Sequence, residues 1–235
     1  MGGWYCQPDC VVPSGESFIR QITLGREYFM EKFASKPHVA VNFDAFAHTR
    51  GLVQILDKTG YEGYVFCRPM KWLDNTVEEV PFYWTGYDGS KIRCLIPNSQ
   101  HIYCSPVNKA KENIIEKSQP FLRNNQEQGL ALWGVGNHGG VESAKDLEDI
   151  MVLTDEKKGE YNIVHSTLEA YFNSIEEPNV TTDREFYTFR KSMSSVNEIK
   201  RRHDELENAI YSYEKVCTVA DLLGTYSYDK EAFKY

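Results

Sequence analysis

The sequence predicts an α/β fold: a parallel strand-helix layer, arranged as an incomplete α/β barrel, followed by a long bundle helix. Two observations support this prediction. Strand-like and helix-like segments alternate with short connections through most of the 235 residues, a pattern typical of parallel sheets. One long helical pattern then covers about 196–222. We therefore predict two domains, an α/β fragment at 1–180 and the start of a helical bundle at 181–235.

The first part of the chain contains two predicted helices and two predicted strands. Ser14 suits the N-cap of a helix over 15–34, in which Phe18, Ile22 and Phe29 form one apolar stripe. The next predicted elements are a buried strand at 39–42, a helix at 52–58 that ends before Gly60, and a strand at 64–67.

A hairpin signal follows, because Asp88-Gly89 lies between two β-rich runs at 82–84 and 92–96. Beyond it we predict helices at about 107–127, 142–153 and 166–174, and strands at 130–133 and 162–164. In the last, long helix, Ile199, Leu206 and Tyr213 recur every seven residues, with Ile210 and Cys217 between them, which indicates a bundle seam. One helix cannot bury its own seam, so we expect partner helices or self-association.

Composition excludes several classes of function. The formal net charge is −8, and an acidic chain repels phosphate backbones, so we expect no nucleic-acid partner. No apolar stretch reaches the roughly 20 residues that span a bilayer, and the start of the chain has no signal-peptide pattern. Six cysteines in a large chain without such a signal favour reduced thiols and a cytoplasmic location.

Asp44 follows the strand predicted at 39–42. In parallel α/β folds the chemistry collects at the carboxyl ends of the strands, so an Asp here suits a nucleophile or a metal ligand. The alternative is an N-cap or turn residue. His48 lies four residues later and could line the same loop, although a structural role is the commoner one.

The glycine segment, residues 134–140, is a second candidate site. Its glycines allow the backbone to approach a ligand closely, and His138 would stand at a strand end as an acid, a base or a metal ligand. The segment matches neither a phosphate loop nor a dinucleotide-binding pattern. A plain glycine turn with a solvated histidine is an equal alternative.

Several loop residues have the chemistry of sugar binding. Trp4 could stack on a sugar ring and Asp9 could bind its hydroxyl groups, although core packing and loop structure are the alternatives. Asp88 is a candidate contact in the hairpin turn. Cys6 and Cys10 are four residues apart, which is weak metal-pair spacing without a second pair.

Five motifs, in this order, resemble those of glycoside hydrolase family 38 α-mannosidases. They are Gly2 to Asp9, Pro13 to Ser17, Asp44 and Phe46 with the helix after them, Phe82 to Ser90, and Gly136 to Gly140. The run at 194–201 also resembles the entry to the family's helical bundle. The similarity extends over about residues 2–222.

The resemblance implies retaining hydrolysis of α-mannosides with a zinc ion, in which Asp44 is the nucleophile and also a zinc ligand. It implies a mannose-containing glycan as the partner. Trp4, Asp9, Asp88 and Asn137 would bind the substrate. His138 is the first candidate for the acid/base residue, and Asp9 is the second.

The chain departs from the family pattern in three places. The His-x-Asp segment that supplies two zinc ligands would lie upstream of Met1, Val196 takes the position of a third ligand, and Asn137-His138 replaces a Gly-Asp segment. We therefore predict a fragment that binds zinc weakly or not at all and is inactive by itself. The alternatives are a non-catalytic carbohydrate-binding or structural homologue and a metal-dependent polysaccharide deacetylase.

Overall fold

The computed structural model describes residues 2–68, 80–97, 106–123, 127–136, 139–187, 195–229 and 231. Its helices are α1 (Gly15–Phe33), α2 (Gly51–Lys58), α3 (Ala110–Arg123), α4 (Ala144–Lys157), α5 (Leu168–Ser174) and α6 (Asn197–Leu222). Its strands are β1 (Val39–Asn42), β2 (Ala47–His48), β3 (Gly63–Phe66), β4 (Phe82–Thr85), β5 (Lys91–Leu95), β6 (Val180–Thr182) and β7 (Phe186–Tyr187). None of the described helices is long and apolar enough to cross a membrane.

Five strands form one sheet in the order β1-β3-β5-β4-β6. Strands β1, β3 and β5 are parallel, with Val39 opposite Gly63 and Gly63 opposite Arg93. Strand β4 is antiparallel to β5 and parallel to β6, while β2 and β7 form a separate antiparallel pair. The predicted parallel strand-helix layer is confirmed, and the described strands do not close into a barrel.

Local sequence signals set the ends of several elements. Ser14 caps α1, because its side-chain oxygen accepts the Ser17 amide at 3.4 Å. Ser143 begins α4 in a reciprocal capping box with Asp146. In the turn between β4 and β5, Gly89 has a φ of 85°, which glycine adopts without strain. The predicted hairpin is therefore confirmed.

Aromatic rings fill the core on one face of the sheet. Tyr64 is fully buried, and its ring centroid lies 5.0 Å from that of Phe66 and 6.3 Å from that of Trp84. The helices that cover this face contribute Phe18, Ile22, Leu52 and Leu56. On the opposite face, a smaller cluster joins the sheet to α5 through Val39, Val65, Leu95, Tyr171 and Phe172.

Two of the predicted strands are wrong. Residues 130–133 and 162–164 form connections without strand pairing. The Leu132 carbonyl accepts a hydrogen bond from Lys117 Nζ at 2.6 Å, so a side chain rather than a neighbouring strand satisfies it. Conversely, the sequence did not predict β2, β6 or β7, because two or three residues are too few to show alternation.

Helix α6 packs against α1. Arg20 donates to both carboxylate oxygens of Glu214, and its guanidinium carbon lies 5.0 Å from the centre of the Tyr211 ring. Two residues of the predicted seam, Ile199 and Leu206, are 66% and 60% exposed. The long helix lies where it was predicted, and Ile210 and Tyr213 of its seam are exposed as well, whereas Cys217 is buried. The domain boundary at residue 180 stays a prediction.

Candidate active site

Asp44 lies at the carboxyl edge of the parallel sheet, two residues after β1. Its parallel neighbour β3 ends at Phe66, which pairs with Asn42, so the residues after both strands emerge side by side. Arg68, two residues after β3, donates from Nε to Asp44 Oδ1 at 2.6 Å. The Asp44 side chain is 51% exposed and that of Arg68 is 13% exposed. The Asp44 carboxylate is therefore accessible to solvent, and its orientation is fixed by a largely buried arginine.

Arg68 is the residue at this edge that sequence reasoning missed. Its guanidinium carbon lies 4.9 Å from the centre of the Phe46 ring, so the arginine is held from both the carboxylate and the aromatic side. Burial raises the pKa of the neighbouring Cys67 thiol, while Arg68 and Lys117 lower it and Asp44 raises it further. Arg68 is therefore the cation in contact with Asp44, whereas Lys117 acts on the neighbouring Cys67. One feature of the sequence could have identified Arg68 as a site residue, namely its position directly after the strand predicted at 64–67.

A buried polar network joins the chain on either side of the Asp44 loop. Asn42 donates from Nδ2 to Cys10 Sγ and to the Pro8 carbonyl, both at 2.9 Å. Nδ1 of His48 lies 2.7 Å from the Tyr64 hydroxyl. Complete burial lowers the pKa of His48 to about 3, so the imidazole is neutral near pH 7. His48 thus has the structural environment that the sequence favoured for it.

The described residues do not form a zinc site around Asp44. The one described group of three His, Cys, Asp or Glu ligand atoms close enough to share an ion is His203, Asp204 and Glu207 on α6. Zinc takes about four ligands, of which a catalytic site draws at least three from protein. Arg68, which donates to Asp44, is a cation and not a metal ligand, and we derive no step through zinc. The predicted zinc role of Asp44 stays a prediction.

Trp4 and Asp9 have structural contacts in the described part of the chain. Trp4 is only 7% exposed, packs against Phe18 and Tyr61, and donates from Nε1 to the Val41 carbonyl at 2.8 Å. Asp9 Oδ1 accepts the amides of the residues two and three positions later at 2.9 and 3.0 Å, which stabilises a turn. Trp4 thereby supports β1 and the Asp44 loop that follows it. The substrate-binding roles of both residues stay predictions.

Asp88 does not join Asp44. The turn that contains it precedes β5, and β5 is parallel to β1 and β3, so the turn lies at the amino-terminal edge of these strands. There the carboxylate accepts from Ser90 and pairs with Lys58 Nζ at 3.0 Å. The Ser90 hydroxyl and then Lys58 lower the pKa of Asp88 to about 2. The strand order places the turn at this edge, because the turn directly precedes β5. The sequence motif alone did not reveal this position.

The glycine segment is described except for Asn137 and His138, so the predictions for these two residues lie outside the described part of the chain. Around it, Asp146 joins the starts of α3 and α4 by accepting the amides of Asn108 and Ala110, each at 3.1 Å, and that of Ser143 at 3.0 Å. Desolvation opposes ionisation of Asp146, but these amides outweigh it and lower its pKa to about 2. Trp133, Gly134 and Glu142 line a depression beside it, too shallow to enclose water.

Comparisons with known proteins find relatives that are named alpha-mannosidases. An alpha-mannosidase G from Dictyostelium discoideum is 29% identical over 178 residues, which is 74% of this chain and 16% of the relative. An alpha-mannosidase from Saccharomyces cerevisiae is 24% identical over 188 residues, again 74% of this chain and 16% of the relative. The crystal structure of an alpha-mannosidase from Enterococcus faecalis V583 superposes with a TM-score of 0.61 at 21% identity, covering 81% of this chain and 22% of that one.

The chain spans about a sixth of the length of these curated relatives, whose coverage is 16%. The fold similarity to the Enterococcus structure is consistent with the mixed sheet and with helices on both of its faces. A family model, the glycosyl hydrolases family 38 N-terminal domain, matches residues 1–192. The match covers all of the described strands, including the Asp44 edge, and so the chain belongs to glycosyl hydrolase family 38.

Proposed function

We propose that this chain contributes part of the active site of a retaining α-mannosidase, with Asp44 as the nucleophile. The observation that carries the proposal is the position of Asp44, exposed at the carboxyl edge of a parallel sheet and oriented by Arg68. Catalytic residues of α/β enzymes collect at this edge. The relatives named alpha-mannosidases support the reaction class, and the substrate would be a mannose-containing glycan.

Retaining hydrolysis needs two carboxyl groups or their equivalents, roughly 5 Å apart. Asp44 would attack the anomeric carbon and form a glycosyl-enzyme intermediate, which water then hydrolyses. Arg68 would fix the rotamer of Asp44 through a charge-assisted hydrogen bond. For the proton donor to the leaving oxygen, His138 remains the first candidate and Asp9 the second. Asp9 would have to leave its turn to act, because its Oδ1 accepts two backbone amides.

The test uses a polypeptide with the length of the curated relatives, in which residues 1–235 are embedded. Asp44→Asn should remove nearly all turnover, because loss of a nucleophile costs several orders of magnitude in rate. Asp57→Asn is a matched control, since Asp57 is an exposed aspartate of α2. A mass increase of one sugar on Asp44 after treatment with a slow fluorinated mannoside would identify the intermediate. Asp44→Asn retaining more than roughly a tenth of the rate would exclude the role.

The second candidate is a non-catalytic homologue that binds carbohydrate or has a structural role. The observation that favours it is at the bundle entry, where Val196, which cannot bind metal, takes the position of a zinc ligand in the family pattern. Among the described residues, no group of three metal-ligating side chains includes Asp44. Glycan binding without turnover in the long polypeptide would support this reading. Turnover that depends on Asp44 would exclude it.

We also propose a cytoplasmic location, which rests on the free thiols of the described cysteines, Cys6, Cys10, Cys67, Cys94 and Cys217, because reduced cysteines are typical of that compartment. The isolated 235-residue chain should be inactive towards mannosides, because its described residues form no group of three metal-ligating side chains that includes Asp44. Self-association through the uncovered seam of α6 is expected for the same chain, since exposed apolar stripes favour burial.

A further inference from the structure

Helix α6 brings three metal-ligating side chains together away from the Asp44 edge. Glu207 lies four residues after His203 and three residues after Asp204, the two spacings at which side chains on a helix surface are neighbours. One ligand atom from each lies within 4.8 Å of the other two. Unlike a cluster of carboxylates alone, this group contains an imidazole nitrogen, which favours zinc and its transition-metal neighbours over magnesium or calcium.

Glu207 is held in place by the start of α1. Its Oε1 accepts the Ser14 amide at 3.1 Å and the Ser14 hydroxyl at 3.2 Å, and it also accepts the Ser17 hydroxyl. The Tyr211 hydroxyl lies 2.8 Å from that of Ser17 and 3.0 Å from that of Ser14. The Glu207 side chain is 14% exposed. A carboxylate fixed in this way loses little rotamer freedom when its other oxygen binds an ion.

His203 Nδ1 is directed at the two carboxylates without reaching either. It lies 3.8 Å from Glu207 Oε2 and 3.9 Å from Asp204 Oδ1, beyond hydrogen-bonding distance. The atom is inaccessible to solvent and has no hydrogen-bond partner among the described residues. Two zinc–ligand bonds of about 2.1 Å each span at most about 4.2 Å. One ion between these atoms would therefore satisfy the buried nitrogen with only a small adjustment of the side chains.

We infer that His203, Asp204 and Glu207 form a second divalent-metal site, of zinc-like chemistry, between α6 and the start of α1. Water would complete the coordination on the exposed side, where the Asp204 side chain is 67% exposed. Because Glu207 also bonds to Ser14 and Ser17, a bound ion would strengthen the attachment of α6 to α1. The site is independent of Asp44 and of the proposed catalytic role.

The experiment is a zinc titration of the full 235-residue chain by calorimetry, with cobalt(II) absorption to report the coordination. We expect one zinc per chain and an increase in melting temperature on binding. His203→Ala should weaken binding at least about tenfold, since loss of even an outer-shell partner typically lowers metal affinity ten- to hundredfold. Glu207→Gln should weaken it as well, while its amide oxygen can still accept from Ser14 and Ser17 and so preserve the helix contact.

Two control variants separate this site from other sources of binding. Asp44→Asn should leave the affinity unchanged, which distinguishes the α6 site from the zinc role predicted for Asp44. His38→Ala should also leave it unchanged, because His38 has a glutamate neighbour, Glu62, at 3.3 Å but no third ligand among the described residues. No binding at about 100 μM zinc would overturn the inference. So would binding that survives both His203→Ala and Glu207→Gln, or that is lost only in Asp44→Asn.

Discussion

Replacing Gly25 by alanine tests how the N-terminal segment supports the candidate site. Gly25 lies inside α1, where residues 3–5 cross the helix. A Cβ at this position would lie 2.4 Å from the Trp4 carbonyl carbon, 2.6 Å from the Tyr5 nitrogen and 2.8 Å from the Gly3 oxygen. All three are backbone atoms, so no side-chain rotation relieves the contact. The crossing segment would have to move away from α1.

The expected loss of stability follows from opposing contributions. Alanine is favoured over glycine in a helix interior by about 1 kcal/mol. Against this, overpacking typically costs about 1–3 kcal/mol. Moving the segment also strains the hydrogen bond from Trp4 Nε1 to Val41, worth about 1 kcal/mol. We therefore expect Gly25→Ala to lower the free energy of unfolding by about 1–3 kcal/mol.

Urea unfolding followed by circular dichroism measures this difference, and Gly51→Ala provides the matched control. Gly51 begins α2, and its Cβ would have one neighbour within 4 Å, the Thr49 hydroxyl at 3.8 Å. The same chemical change there should be neutral or stabilising by up to about 1 kcal/mol. If Gly25→Ala proves as stable as the wild type, the close crossing of α1 by residues 3–5 is incorrect.

Two further predictions concern the buried histidine and the exposed helix. The pKa of His48 falls from 6.5 to about 3 on burial, so the unfolded chain binds a proton that the folded chain does not, and stability falls as pH drops from about 6.5 towards 3. Protonation of His48 in the unfolded chain lowers the free energy of unfolding by about 2 kcal/mol between pH 7 and pH 5. In urea unfolding experiments, the free energy of unfolding of His48→Gln should therefore depend less on pH than that of the wild type. The same pH dependence in both proteins would contradict this prediction. Leu206→Lys should reduce self-association in sedimentation experiments. Val164→Lys, at a loop position that is more exposed than Leu206, should not. Equal effects of the two variants would show that self-association does not use the α6 seam.

Sequence reasoning predicted the elements whose signals are local. Helix α1 has its N-cap at Ser14, the hairpin has Asp88-Gly89, and α6 has its seven-residue repeat. It failed where pairing depends on distant residues: β2 becomes a strand because Ala47 pairs with Tyr187, far along the chain. The strand predicted at 130–133 failed for the converse reason, since Lys117 satisfies the Leu132 carbonyl.

The candidate site shows the same limit. The position of Asp44 after a buried strand was readable from the sequence, because strand ends in parallel sheets carry function. Its pairing with Arg68 was not, because it depends on the register that places Phe66 beside Asn42. The motif containing Asp88 was recognised, but the topology puts that turn at the other edge of the sheet. Motif order thus predicted the family better than it predicted which residues meet.

The electrostatics of the Asp44 edge bear on the choice between enzyme and non-catalytic homologue. Arg68 is bonded to Asp44, and Lys117, only 7% exposed, contributes positive charge at the neighbouring Cys67. The Arg68 guanidinium bonded to Asp44 would hold a nucleophilic carboxylate in place and would oppose a zinc ion at the same carboxylate, because like charges repel. The contact with Arg68 is therefore compatible with the proposed nucleophilic role of Asp44 and opposes its predicted role as a zinc ligand. Arg68→Gln in the long polypeptide separates these cases: turnover should fall if Arg68 orients the nucleophile, and zinc affinity should rise if Arg68 excludes the metal.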